Sequence, residues 1–154
     1  MDKLQIIKDE AQGLLDKMIS KFELEVTESE GAYQVIIKTE EDAPTIIGRH
    51  GETIRALQKI LEVMLYKKTG EAVNILVNVN DYREKQKERL EGLASQLAVK
   101  AQSIKEPVYF RGLSSYERKI VHEYITNSYP DLTTYSVGEG RDRRLVIEGK
   151  KEVV

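Results

Sequence analysis

Apolar residues recur at helical spacing from the start of the chain, where Leu4, Ile7, Ala11, Leu14, Leu15 and Met18 predict an amphipathic helix over 4–19. Residues 22–27 and 32–39 then alternate apolar and polar positions on either side of Glu30 and Gly31, the pattern of two antiparallel strands joined by a tight turn. Asp42 is expected to cap a one-turn helix, with Pro44 in its first turn, where a missing amide donor costs nothing. Ile54, Leu57, Ile60, Leu61, Met64 and Leu65 mark one stripe of a longer helix that ends at Gly70, and 73–79 reads as a third strand.

Asp81 and Glu84 have the spacing of a capping box, so a second long helix is expected from there to about Ile104. Its first part, YREKQKER, is almost wholly charged. Leu90, Leu93, Ala94, Leu97, Ala98, Ala101 and Ile104 supply an apolar face only afterwards, the pattern of a bridge that is exposed first and packed later. A short strand over 107–110 follows, and Ser114 with Glu117 repeats the capping-box spacing ahead of a helix whose buried side is expected to be Tyr116, Ile120, Val121, Tyr124 and Ile125. Residues 133–137 and 143–147 alternate as strands around the Gly138 to Gly140 turn. The expectation is an α+β protein of two small domains, 1–80 and 106–154, joined by a helix over 81–105 that contributes to the second.

The 154 residues are 40% hydrophobic, enough to build such cores. Cysteine is absent, which excludes disulfides and thiolate chemistry, and His50 and His122 are the only histidines, so no metal or other cofactor is expected. A reducing, cytoplasmic setting fits. No apolar run is long enough to span a bilayer, so membrane insertion is not expected. The net charge is −2 but uneven: residues 1–80 hold 10 Lys and Arg against 14 Asp and Glu, whereas 81–154 hold 14 against 12. Affinity for a polyanion would rest on a few well-placed cations and would be modest and salt-sensitive.

Gly48, Arg49, His50 and Gly51 stand between the short helix and the long one. Two glycines allow close backbone approach, Arg49 supplies a permanent cation, and the amide-rich start of the next helix faces the same way. Such a loop, with Ile46 and Ile47 before it and Ile54 and Leu57 after it, suits a sugar-phosphate strand whose bases meet apolar neighbours, most simply single-stranded RNA. The plainer reading is a helix-to-helix turn that happens to use two glycines. A second constellation is Arg118 and His122, one helical turn apart, with Arg143 and Arg144 on a strand able to pack beside them. Here the plainer reading is a solvated helix face.

The GRHG loop with an α-β-β order before it resembles the type II KH domain over residues 1 to about 80. In KH domains this loop contacts the nucleic-acid backbone and an adjoining apolar groove holds about four nucleotides. The resemblance places the first role on Gly48, Arg49, His50 and Gly51 and the second on Ile46, Ile47, Ile54 and Leu57. Many such loops carry a lysine or arginine where this chain has His50, which implies weaker, pH-dependent binding.

The segments YERKIVH, TTYSVGEG and RRLVI resemble the R-three-H domain, named for its Arg-x-x-x-His pair. That family binds single-stranded nucleic acid; its pair matches Arg118 and His122, and its later arginine matches Arg143, with Arg144 beside it. The segment 110–113 departs from the family's usual entry to this helix. KH domain, linker helix and R-three-H domain in that order resemble the Jag family of bacterial RNA-binding proteins, whose small N-terminal domain and long linker do not precede the KH part in this sequence. The resemblance implies single-stranded RNA or DNA as partner, a small single-KH protein as a second partner, and a role linked to cell elongation or division.

Enzymatic function is not expected. His122 with Glu123, or His50 with Glu52, lacks the third member, nucleophile or metal ligand that hydrolysis needs, and VGEGRD is most simply a turn. The rival to nucleic-acid binding is a protein-interaction scaffold, since a net-acidic N-terminal half is an awkward surface for RNA.

Overall fold

The computed structural model describes residues 2–151; Met1 and residues 152–154, the outermost ends of the two expected domains, lie outside the described residues. The chain divides between Arg83 and Glu84 into two compact units. Among the described residues no helix is long and apolar enough to cross a membrane.

The N-terminal unit runs α1 (Lys3–Asp16), β1 (Glu23–Ser29), β2 (Ala32–Lys38), α2 (Ala43–Ile47), α3 (Glu52–Thr69) and β3 (Ile75–Val79). Its sheet has the order β1-β2-β3. The β1–β2 hairpin turns through Glu30 and Gly31 at φ 51° and 81°, a left-handed pair that matches the twist of the flanking strands. β3 pairs parallel to β2, with Tyr33 opposite Ile75, because α2 and α3 carry the chain back across one face. That face is the core: Ile7, Ala11 and Leu15 of α1 and Ile54, Leu57, Leu61 and Leu65 of α3 pack on Val35, Ile37, Ile75, Val77 and Val79.

Two members of the expected helical stripes are exposed instead. Ile60 is exposed because the buried positions step 54, 57, 61, 65, which leaves it about a quarter-turn off that face, and Met18 is exposed because α1 has already ended. Asp42 sits at the N-cap position of α2 without a side-chain capping bond, and the turn is held instead by Thr39. The Thr39 hydroxyl donates to the Lys21 carbonyl over 2.9 Å and accepts from the Asp42 amide, while Asn80 bridges the Thr39 backbone in both directions.

The C-terminal unit takes most of α4 (Tyr82–Ile104), then β4 (Val108–Arg111), α5 (Ser115–Ser128), β5 (Leu132–Val137) and β6 (Arg144–Gly149). Its sheet is antiparallel in the order β4-β6-β5, so the last strand inserts between the other two. Leu90, Ala94, Leu97, Ala98 and Ala101 of α4 and Val121 and Ile125 of α5 pack against Val108, Leu132, Leu145 and Ile147 on one face of that sheet. Ile104, expected on the apolar face of α4, is exposed.

The buried side of α5 differs from expectation at its first turn. Tyr116 is exposed, and Glu117 is buried in its place. A carboxylate tolerates such a site only when its oxygens are satisfied. Glu117 accepts from the Ser114 amide (2.9 Å), completing the capping box, and from Gln86 Nε2 and Arg89 Nη2 of α4, both at 2.9 Å. The helix that carries Arg118 and His122 is thereby anchored to α4 at its N-terminal end.

Candidate nucleic-acid interface

The chain leaves α2 through Gly48 at φ 74°, ψ 177°, a conformation that L side chains avoid. A Cβ there would collide with the Thr53 side chain and lie 2.9 Å from the Thr53 amide nitrogen. His50 and Gly51 follow in left-handed geometry at φ 56° and 73°, and the Gly51 amide closes a tight turn onto the Gly48 carbonyl at 3.3 Å. The left-handed histidine is held from outside the loop, by Arg55 Nη1 donating to the His50 carbonyl over 2.8 Å. Gly51 is the N-cap of α3 and contributes no side-chain cap, so the positive end of that helix opens toward the loop, partly offset by Glu52 in its first turn.

Arg49 is exposed and makes no hydrogen bond or ion pair among the described residues; His50 is half-buried. The expected base-receiving side chains are placed otherwise. Ile46, Ile54 and Leu57 are core residues at 0%, 1% and 4% exposure, so they brace the loop from beneath and present no surface to a ligand. Ile47 alone of the four is half-buried and packs at the core's edge. Apolar residues beside an exposed loop read equally as wall or as foundation, and here the helices need them as foundation. Arg55, hidden within the apolar stripe of α3, is the residue that sequence reasoning missed.

In the C-terminal unit, α5 and the turn before β6 converge. Arg118, Lys119 and His122 from α5, Ser136 of β5 and Arg143 line one concavity of about 420 Å³, with Tyr135 at its margin. Arg118 is oriented by two donations, to the Leu113 carbonyl at 2.7 Å and the Ser115 hydroxyl at 3.1 Å. His122 Nδ1 hydrogen-bonds the Thr134 hydroxyl, which fixes the ring against β5. Arg143 Nη1 donates to the Gly138 carbonyl over 2.8 Å and so closes the turn that delivers it. Three guanidinium or ammonium groups around one small cavity have the chemistry to hold a phosphate or another compact anion.

Arg144 does not join them. Successive strand residues face opposite ways, and its guanidinium lies over the Tyr109 ring, 5.1 Å from the centroid, with a buried Nε that has no hydrogen-bond partner among the described residues. Lys119, Ser136 and Tyr135 were not foreseen. Lys119 had a signal, since it lies one position from Arg118 and one turn from Ser115 on the same helix. The Tyr135 phenol is pushed above its ordinary pKa, first by desolvation of the ring at the sheet surface and then by its hydrogen bond to Glu148.

Sequence models of two domain families match the chain in this order: the KH domain of KhpA/KhpB over residues 5–77 and the R-three-H domain over 88–148. A protein of Bacillus subtilis named RNA-binding protein KhpB is 33% identical over 152 residues, which cover 98% of this chain and 73% of that protein. The chain belongs to the KhpB family. A Clostridium symbiosum KhpB is 31% identical over 129 residues, 84% of this chain and 57% of its own length, and a Lactiplantibacillus plantarum KhpB is 33% identical over 106 residues, 69% of this chain and 33% of its own. The family assignment covers both sites: the loop at Gly48 to Gly51 lies in the KhpB KH domain, and the Arg118, His122 and Arg143 cavity in the R-three-H domain.

Proposed function

We propose that the chain binds single-stranded RNA without chemical turnover, through a backbone clamp at Gly48 to Gly51 and a second phosphate site at Arg118, His122 and Arg143. The observation that carries this reading is the convergence of α5 and the turn before β6 on one cation-lined cavity, in a chain whose curated relatives bear the name RNA-binding protein. The loop supports it through geometry: a backbone that only glycine allows at Gly48, an exposed Arg49 with no partner among the described residues and an uncapped helix start behind them. Single-stranded DNA is the alternative ligand, to be separated by whether a 2′-hydroxyl strengthens binding. The cysteine-free sequence supports a cytoplasmic setting.

A small KH-type protein partner is part of the same proposal. Ile60, Val63 and Tyr66 form an exposed apolar row on α3, and Val63 and Tyr66 line a shallow concavity of about 280 Å³ together with Lys59, Glu62, Ala72 and Val73.

Fluorescence anisotropy with a labelled single-stranded RNA tests the RNA reading. Joint replacement of Arg118 and His122 by alanine weakens binding by about tenfold, a loss of roughly 1.4 kcal/mol, and joint replacement of Arg49 and His50 by aspartate does at least as much. Few phosphates are engaged, so the salt slope is shallow, about −0.7 per phosphate for a single strand. Wild-type affinity in both variants, or no saturable binding by the native chain at low salt, refutes the proposal.

A further inference from the structure

Strand register sets two tyrosines side by side on the face of the C-terminal sheet that points away from α4 and α5. Tyr109 of β4 and Tyr135 of β5 both pair with Val146 of the central strand. Cross-strand neighbours on one face are in contact range, and Val146 is buried although it lies outside the core built with the helices. The tyrosines themselves stay open to solvent, at 57% and 44% exposure. Two inter-strand spacings put their rings about 10 Å apart.

Charge on this face is polarised. On one side of the tyrosine row, Arg144 pairs with Arg111, and the Arg144 guanidinium stacks over Tyr109 with its Nε unpartnered. On the other side, Glu148 holds the Tyr135 phenol. A polyanion would therefore lie along the arginine side. Tyr135 also stands at the margin of the Arg118, His122 and Arg143 cavity, so the flat aromatic surface continues from the phosphate site around the edge strand β5. Flat aromatic rings beside guanidinium groups are the chemistry that receives unpaired bases, because every base has a π-face and stacks without regard to sequence.

We propose that the outer face of this sheet is a stacking platform for two bases of a single nucleic-acid strand, one on Tyr135 and one on Tyr109, with Arg144 and Arg111 alongside. The proposal rests on the RNA-binding reading and extends it from phosphate contact to base contact. It also supplies this unit with an affinity term that salt does not screen.

The test measures binding of a fluorescein-labelled twelve-nucleotide oligouridine RNA to the full chain and to Tyr109→Leu, Tyr135→Leu, Tyr109→Phe and Tyr135→Phe, each first shown by circular dichroism and thermal melting to be folded. Each leucine variant binds about fivefold or more weakly, with the salt slope unchanged, and each phenylalanine variant stays within about twofold of wild type. The Tyr109 result is decisive, because that residue lies outside the phosphate cavity. If Tyr109→Leu binds as wild type while Arg118→Ala with His122→Ala has lost affinity, the platform is overturned and the RNA reading stands. If the native chain takes up no oligonucleotide, both fall.

Discussion

Arg55 donates from Nη1 to the His50 carbonyl across 2.8 Å, so a side chain one turn into α3 holds the most strained peptide of the loop that precedes that helix. A left-handed non-glycine residue costs roughly 1–3 kcal/mol unless its surroundings enforce it. A guanidinium bond to a carbonyl offsets part of that cost, discounted here because the pair is only partly buried. Arg55→Ala is expected to lower unfolding stability by about 1 kcal/mol in urea titration and to weaken RNA binding further than the mutation's effect on folding explains. Replacing His50 by glycine in the same background removes the strain, and stability then returns toward wild type while the cation stays missing.

Gly48 and Gly51 bracket the same loop but are not equivalent. A methyl group on Gly48 meets the backbone nitrogen of Thr53 at 2.9 Å as well as its side chain, in a region of φ and ψ closed to alanine. On Gly51 it meets the far end of the Tyr82 side chain, with the phenol oxygen at 2.9 Å, in left-handed geometry that other residues enter at moderate cost. Gly48→Ala therefore destabilises by about 2–3 kcal/mol and Gly51→Ala by about 1 kcal/mol. Thr53→Ala does not rescue Gly48→Ala, because the clash with the main chain persists. Thermal melts of the three single variants and the double variant decide it; equal losses at the two glycines would contradict the argument.

Glu117 is the anionic anchor of α5. Its two oxygens receive the Ser114 amide, Gln86 and Arg89, and only Arg89 among these partners has substantial access to water. Glu117→Ala removes the capping box and leaves buried donors unpaired, an expected loss of about 2–3 kcal/mol. Arg89→Ala costs less, about 1 kcal/mol, since Gln86 and Ser114 still satisfy the carboxylate. Amide exchange by NMR should show the Glu117→Ala loss in α5 and the β4-β6-β5 sheet, with protection in the N-terminal unit unchanged.

Much of this architecture was readable from period and punctuation. The order of helices and strands, the Glu30 and Gly31 turn, the Gly70 terminator and the Ser114 and Glu117 capping box each follow from local rules that tertiary contacts did not override. What escaped were residues whose role depends on a partner distant in sequence. Glu117 reads only as half of a capping box, and its burial is not announced, because nothing local points to Gln86 and Arg89. Ile46, Ile54 and Leu57 read as a binding wall because an apolar flank has no sign saying which side of the helix the core occupies. Arg143 and Arg144 look like one basic patch, yet one reaches the α5 cavity and the other crosses to Tyr109 on the opposite face.

β3 is an edge strand, and its exposed backbone is closed by side chains. Gln58 Oε1 accepts from the Val77 amide at 3.0 Å, Arg83 Nε donates to the Val77 carbonyl at 2.6 Å, and Arg83 Nη2 donates to Gln58 Oε1 at 3.0 Å. The three groups form a ring that satisfies both outward-facing polar atoms of Val77, at the middle of the edge, which opposes edge-to-edge pairing there. Gln58→Leu with Arg83→Leu opens this edge while keeping bulk at both positions. Val77 amide exchange then accelerates about tenfold or more, as expected from a lost bond worth roughly 1.4 kcal/mol. The bare edge also favours self-association, so light scattering of the double variant rises with concentration where the native chain's does not. Unchanged Val77 protection would mean that the parallel pairing with β2 alone sets the stability of this strand.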